Sequence, residues 1–157
     1  MHIFLCGSYL NGDKKALTEL RDELRDPEGE FRVPSTFLME DIKVDPSMLY
    51  NHKFEAIWTQ IKKGDNKPLC ILYGGETSGS SQGINSEIQN VAQDEEKKAN
   101  SVLIRHEKAA LNHYADAFPY HTAANHEDFK RIAMHIVRSK INEIKTFLQT
   151  KGGGVND

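Results

Sequence analysis

Leu69-Cys70-Ile71-Leu72-Tyr73-Gly74-Gly75-Glu76-Thr77-Ser78-Gly79-Ser80-Ser81-Gln82-Gly83-Ile84-Asn85-Ser86-Glu87-Ile88-Gln89-Asn90-Val91-Ala92 decides the fold. Its opening apolar run, Leu69 to Tyr73, has the length and the bounding residues of a buried strand. Residues 74–83 are glycine, serine and threonine with one glutamate and one glutamine, which reads as a loop rich in hydroxyls and backbone donors. Ile84, Ile88, Val91 and Ala92 then recur at i, i+4, i+7 and i+8, the period of a helix packed on one face. Strand, glycine-rich loop and helix in that order form the junction that places ligands at the carboxyl end of a parallel sheet.

Outward from this stretch the same alternation repeats. His2 to Cys6 is a first strand that stops at Gly7-Ser8-Tyr9, and Asn11-Gly12-Asp13 supplies a turn and an N-cap. Leu17, Leu20 and Leu24 mark a helix ended by Pro27 and Gly29. Phe31 to Met39, broken by Pro34, reads as an edge strand or irregular loop. Asp45-Pro46 reads as a helix start, with Phe54, Ile57, Trp58 and Ile61 on one face and an end near Lys63-Gly64. Ser101 to Ile104 is a further strand. Leu111, Tyr114, Ala115 and Phe118 fit a short helix closed by Pro119, and Tyr120 to Ala124 fits a last short strand. Asn125 caps a final helix whose apolar period runs through Phe129, Ile132, Ala133, Ile136, Val137, Ile141, Ile144 and Leu148.

The expected fold is therefore a three-layer α/β/α sandwich around a mainly parallel, Rossmann-like or flavodoxin-like sheet of about five strands. With 157 residues and no separating linker, residues 1–150 read as one domain and 151–157 as a disordered tail. Twenty basic residues against 23 acidic give a net charge of -3, with no basic surplus of the kind that marks a nucleic-acid polymer as partner. No apolar run approaches the ~20 residues that span a bilayer, and no basic leader precedes the first strand. Cys6 and Cys70 lie inside apolar runs and read as free thiols of a reducing compartment, so a cytoplasmic location is expected.

Chemistry centres on Glu87, read as a first-turn residue facing the loop. A carboxylate there is held ionised by the helix dipole, and beside a hydroxyl-rich loop it suits attack on, or stabilisation of, an oxocarbenium-like sugar centre. Dipole complementation alone would also account for it. Gly79-Ser80-Ser81-Gln82-Gly83 spells a nucleophile-elbow pattern with Ser81 as nucleophile, in a loop long for such an elbow. Ser78, Ser80 and Ser81 can contact phosphate, but the spacing and lysine of a P-loop are missing. His106, His113, His121 and His126 show no metal-ligand spacing. Glu40 and Asp41, after the second strand region, fit a solvated turn, and no metal or cofactor is implied.

Three features resemble the nucleoside 2-deoxyribosyltransferases and the wider group that includes TIR-type NAD-cleaving domains. They are Ile3-Phe4-Leu5-Cys6-Gly7-Ser8-Tyr9, the strand end Tyr73-Gly74, and Gly83-Ile84-Asn85-Ser86-Glu87-Ile88, similar to that family's Gly-Thr-Ala-x-Glu-Ile-Gly signature. Ile84 and Gln89 stand where the family has Thr and Gly, and Gln82 where Asp is common. The resemblance implies a nucleoside- or nucleotide-directed enzyme that cleaves or exchanges an N-glycosidic bond, with Glu87 as nucleophile. It implies a binding shell of Gly7, Ser8, Tyr9, Gly74, Gly75, Ser81, Gly83 and Ser86, and a homodimer. The alternative within the same fold is a nucleotide-binding sensor without turnover. An interaction module built on the final helix would need an exposed apolar stripe, and the stripe reads as no wider than a core face requires.

Overall fold

The computed structural model describes residues 1–10, 12–78 and 81–156, without the side chains of Tyr50, Asn51, Gln82 and residues 151–156. The turn residue Asn11, the loop residues Gly79 and Ser80 (with the first half of the elbow pattern) and the tail residue Asp157 lie outside the described residues. Five strands, β1 (Ile3–Gly7), β2 (Thr36–Leu38), β3 (Leu69–Gly74), β4 (Ser101–Arg105) and β5 (Tyr120–Thr122), form one sheet in the order β2-β1-β3-β4-β5. Every pairing is parallel, with Gly7 opposite Tyr73 and Gly74 opposite Arg105. This is the flavodoxin-like order, whose topological switch point falls between β1 and β3.

Helices cover both faces. α1 (Asp13–Arg25) and α5 (His126–Asn156) lie on one side, where Leu17, Leu20, Leu24, Phe129, Ala133 and Val137 pack on Ile3, Leu5, Ile71 and Tyr73. α2 (Tyr50–Gly64) and α3 (Gln82–Ala92) lie on the other, where Phe54, Ile57, Trp58, Ile84, Ile88 and Val91 pack on Phe4, Cys6, Cys70 and Leu72. Successive strand residues thus feed opposite layers, as the two-residue period of a strand requires. A three-layer α/β/α sandwich results.

Several elements depart from the sequence reading. Asp45-Pro46 does not start α2: the Asp45 carboxylate accepts from Ser47 N at 3.0 Å and Ser47 Oγ at 2.8 Å, closing a local turn, and the helix begins at Tyr50. A short helix, α4 (Glu95–Ala99), was unsignalled because five residues carry no apolar period; Asp94 caps it through Lys97 N at 3.0 Å. The short helix expected near Tyr114 is a 3-10 turn at His113–Ala117. Asn125 caps α5 as expected, its Oδ1 accepting from Asp128 N at 2.8 Å.

The last correction concerns the far end of α5, which is traced to Asn156, into the segment read as tail. Phe129, Ala133 and Val137 are buried as expected, but Ile144, Phe147 and Leu148 are 37%, 64% and 60% exposed. A 31-residue helix is about 46 Å long at ~1.5 Å per residue. It overruns strands of three to six residues, so its distal apolar positions have no sheet beneath them.

Candidate functional site

Two polar clusters meet at the carboxyl edge of the sheet, on either side of the end of β1. The first surrounds Glu87. α3 starts at Gln82 after Ser81, so Glu87 lies in the second turn and not in the first, as the sequence reading had it. The loop ends earlier than its glycine content suggested, because Ser81 N bonds Ser78 O at 2.9 Å and Asn85 Nδ2 bonds Ser81 O at 2.9 Å, extending the helix backwards. Helix-dipole stabilisation falls off within the first turn, so it does not by itself account for this carboxylate. Glu87 shares the inward stripe of Ile84, Ile88 and Val91 and is 2% exposed. With Cys6, Gly7, Tyr9, Leu38 and Met39 it lines a small cavity of ≈ 10 Å³, about the room of one water.

Electrostatics around this cavity favour neutral partners for the carboxylate. Burial, followed by the charges of Glu40 and Glu87, pushes the Tyr9 phenol up to about 12, so it remains protonated at neutral pH. Burial, the Cys70 thiol and Glu87 raise the Cys6 thiol well above its usual range. Cys6 and Cys70 are free and buried, with Sγ atoms 3.8 Å apart. Tyr9 is half exposed where it lines the cavity, its ring 4.7 Å from Lys14 Nζ.

The second cluster was not anticipated. Asp13, the first residue of α1, is 1% exposed, and its Oδ2 accepts from Ser8 Oγ at 3.0 Å and from Ser78 Oγ at 2.7 Å. Its other oxygen lies 3.8 Å from His126 Nδ1, and Tyr73 Oη lies 2.7 Å from the same nitrogen. The Tyr73 ring stacks on Phe129 with centroids 3.7 Å apart, and burial with the Asp13 charge raises its phenol pKa. Gly12 enters α1 with φ 86, and Gly75 presses its backbone on the carboxylate: a Cβ there would fall 2.7 Å from Asp13 Cγ. Beside this cluster opens a cavity of ≈ 210 Å³ lined by Asp13, Tyr73, Glu76, Thr77, His106, Ala124, Asn125 and His126.

The residues expected to form one shell are therefore divided. Gly7 and Tyr9 join Glu87, whereas Ser8 and Gly75 turn to Asp13. Gly74 ends β3 against Leu111, and Ser81 precedes α3 with φ -86 and ψ 120, an ordinary extended backbone and not a strained elbow. Gly83 and Ser86 sit within α3 and line neither cavity. Asp41 is a clasp: it accepts from Arg21 Nη1 at 2.7 Å and Leu38 N at 2.8 Å. Asp13 did carry a signal in the sequence, since it extends the stripe of Leu17, Leu20 and Leu24 back by one turn and puts a carboxylate on the core face.

No protein-family model, no curated protein and no solved structure matches this chain. Among the described residues no group of three or more His, Cys, Asp or Glu side chains is arranged to hold a metal ion, and no helix is long and apolar enough to cross a membrane.

Proposed function

We propose that this chain is a nucleoside- or nucleotide-directed enzyme that cleaves or exchanges an N-glycosidic bond through Glu87. The observation that carries the reading is the placement of that side chain: a buried carboxylate at the β1/β3 switch point, facing Gly7 and Tyr9. The strand-end Gly-Ser-Tyr and the Gly83–Ile88 resemblance to the deoxyribosyltransferases support the same assignment. In the reaction, a Glu87 oxygen bonds to the anomeric carbon as the C–N bond breaks, and the base leaves with the bonding pair and takes a proton from water or from the neutral Tyr9 phenol. Water or a second base then attacks the glycosyl ester and releases the carboxylate. No metal or cofactor enters this scheme, and a homodimer and a cytoplasmic location belong to the same reading.

A sugar reaches Glu87 only if the lining residues yield, because the cavity there has room for about one water. That small volume is also the observation that favours the second reading, a nucleotide-binding sensor that does not turn its ligand over. Incubation of the protein with deoxynucleosides, ribonucleosides, their monophosphates and NAD, followed by chromatography of free base, separates the two. Release that disappears in Glu87→Gln is expected. Binding without release from any substrate supports the sensor and rejects the enzyme.

A further inference from the structure

The Asp13 cluster supplies no reacting group in that scheme, yet it occupies the place where parallel α/β sheets receive a ligand's anionic group. There the first and third strand-to-helix loops converge on the amino end of α1, offering a helix dipole, loop hydroxyls and closely approaching backbone. In this protein those features are present and are directed at a side chain. Ser8 from the first loop and Ser78 from the third both donate to Asp13 Oδ2, at 3.0 Å and 2.7 Å, and the Gly75 backbone packs on the same carboxylate. Asp13 lies in the first turn of α1, a helix of 13 residues, and is 1% exposed.

We propose that Asp13 is an internal anion that fills the phosphate position of the switch point and so acts as a specificity determinant, excluding phosphate and leaving the adjoining ≈ 210 Å³ cavity to a neutral, hydroxyl-rich group. The lining of that cavity fits this division. Its acidic members are Asp13 and Glu76, beside the imidazoles of His106 and His126, and no Lys or Arg is among its described lining residues. A phosphate entering it would face two like charges. Sugar hydroxyls, by contrast, can donate to a carboxylate and accept from imidazole or phenol. Lys108 N donates to His106 Nδ1 at 3.0 Å, which leaves the proton of the neutral ring on Nε2 as a donor. The cavity is below the ~300–1,000 Å³ of pockets that enclose a whole drug-sized ligand, so it suits one small moiety. Combined with the reading above, on which only this last step rests, that moiety is part of the nucleoside sugar.

Calorimetric titration of the full chain with nucleosides, their 5′-monophosphates and inorganic phosphate tests the assignment, using wild type, Asp13→Asn and Asp13→Ser. Wild type is expected to bind at least one nucleoside roughly tenfold or more tightly than its monophosphate, the effect of one like charge at close range, and to show no heat with inorganic phosphate. Asp13→Ser, which empties the anion position, is expected to gain phosphate binding, and Asp13→Asn to narrow the ratio. Wild type that binds a monophosphate as tightly as the nucleoside, or that binds no nucleoside, overturns the proposal, as does a folded Asp13→Ser with an unchanged ratio. Should both variants fail to fold, the wild-type ratio decides. Glu87-dependent base release from monophosphates would retain the enzyme reading and reject the role of Asp13; phosphate discrimination without base release would do the reverse.

Discussion

Ser78 Oγ and Asp13 Oδ2, 65 residues apart in sequence, meet at 2.7 Å and tie the loop after β3 to the amino end of α1. The bond is buried and charge-assisted, and its partner on the other side, Ser8, belongs to the loop after β1. One carboxylate thus fixes both loops that frame the switch point. Ser78→Ala leaves that carboxylate one donor short and is expected to lower stability by about 1–3 kcal/mol. Urea denaturation of wild type and variant measures the difference; unchanged stability would mean that water replaces the hydroxyl without loss.

Gly75 should tolerate no side chain. A Cβ at this position would press into the Asp13 carboxylate, so Gly75→Ala forces the loop or α1 to shift, at a cost of about 1–3 kcal/mol. The same denaturation experiment reads it out, and a stability equal to wild type would show that the loop yields freely.

These residues also mark where the sequence was readable. The run Leu69 to Tyr73 and the stripe Ile84, Ile88, Val91 announce β3 and α3 because a buried strand and a one-faced helix each leave a periodic trace. Glu87 could be placed near the carboxyl edge of the sheet for that reason. Its turn could not, since the helix start depends on backbone and Asn85 bonds to Ser81 that no apolar pattern records. Asp13 was read as a turn residue because its partners come from two loops whose meeting is set by strand order. His106 and His126, unremarkable in sequence, reach one cavity for the same reason. Asp45-Pro46 misled because an Asx turn and a helix cap use the same residues.

The two ends of α5 should respond differently to truncation of an aromatic residue. Phe129 is fully buried and stacked on Tyr73, so Phe129→Ala should cost about 3–5 kcal/mol. Phe147 is 64% exposed, and Phe147→Ala should fall within about 0.5 kcal/mol of wild type. Thermal or chemical unfolding compares them directly; equal losses would mean that the distal turns of α5 pack against something in solution.

Alkaline titration should single out Tyr9. Its phenol pKa is raised to about 12, so folding favours the neutral form. Stability from this group is intact below the ordinary tyrosine value of about 10 and declines as pH rises through about 12. Phenolate absorbance of the native protein should show a component near 12 that Tyr9→Phe removes, and the variant should lose stability less steeply over that range. A native titration in which the Tyr9 phenol ionises with its midpoint near about 10 would contradict the environment described for Tyr9.

The most direct measurement of the role given to Glu87 is mass spectrometry of the acid-quenched protein after brief exposure to a substrate nucleoside. A glycosyl ester should add the mass of the sugar to the peptide that contains Glu87, should be absent in Glu87→Gln, and should decay as base exchange or hydrolysis proceeds. Base release with no adduct at Glu87, or with an adduct on another residue, would contradict the assignment of Glu87 as nucleophile.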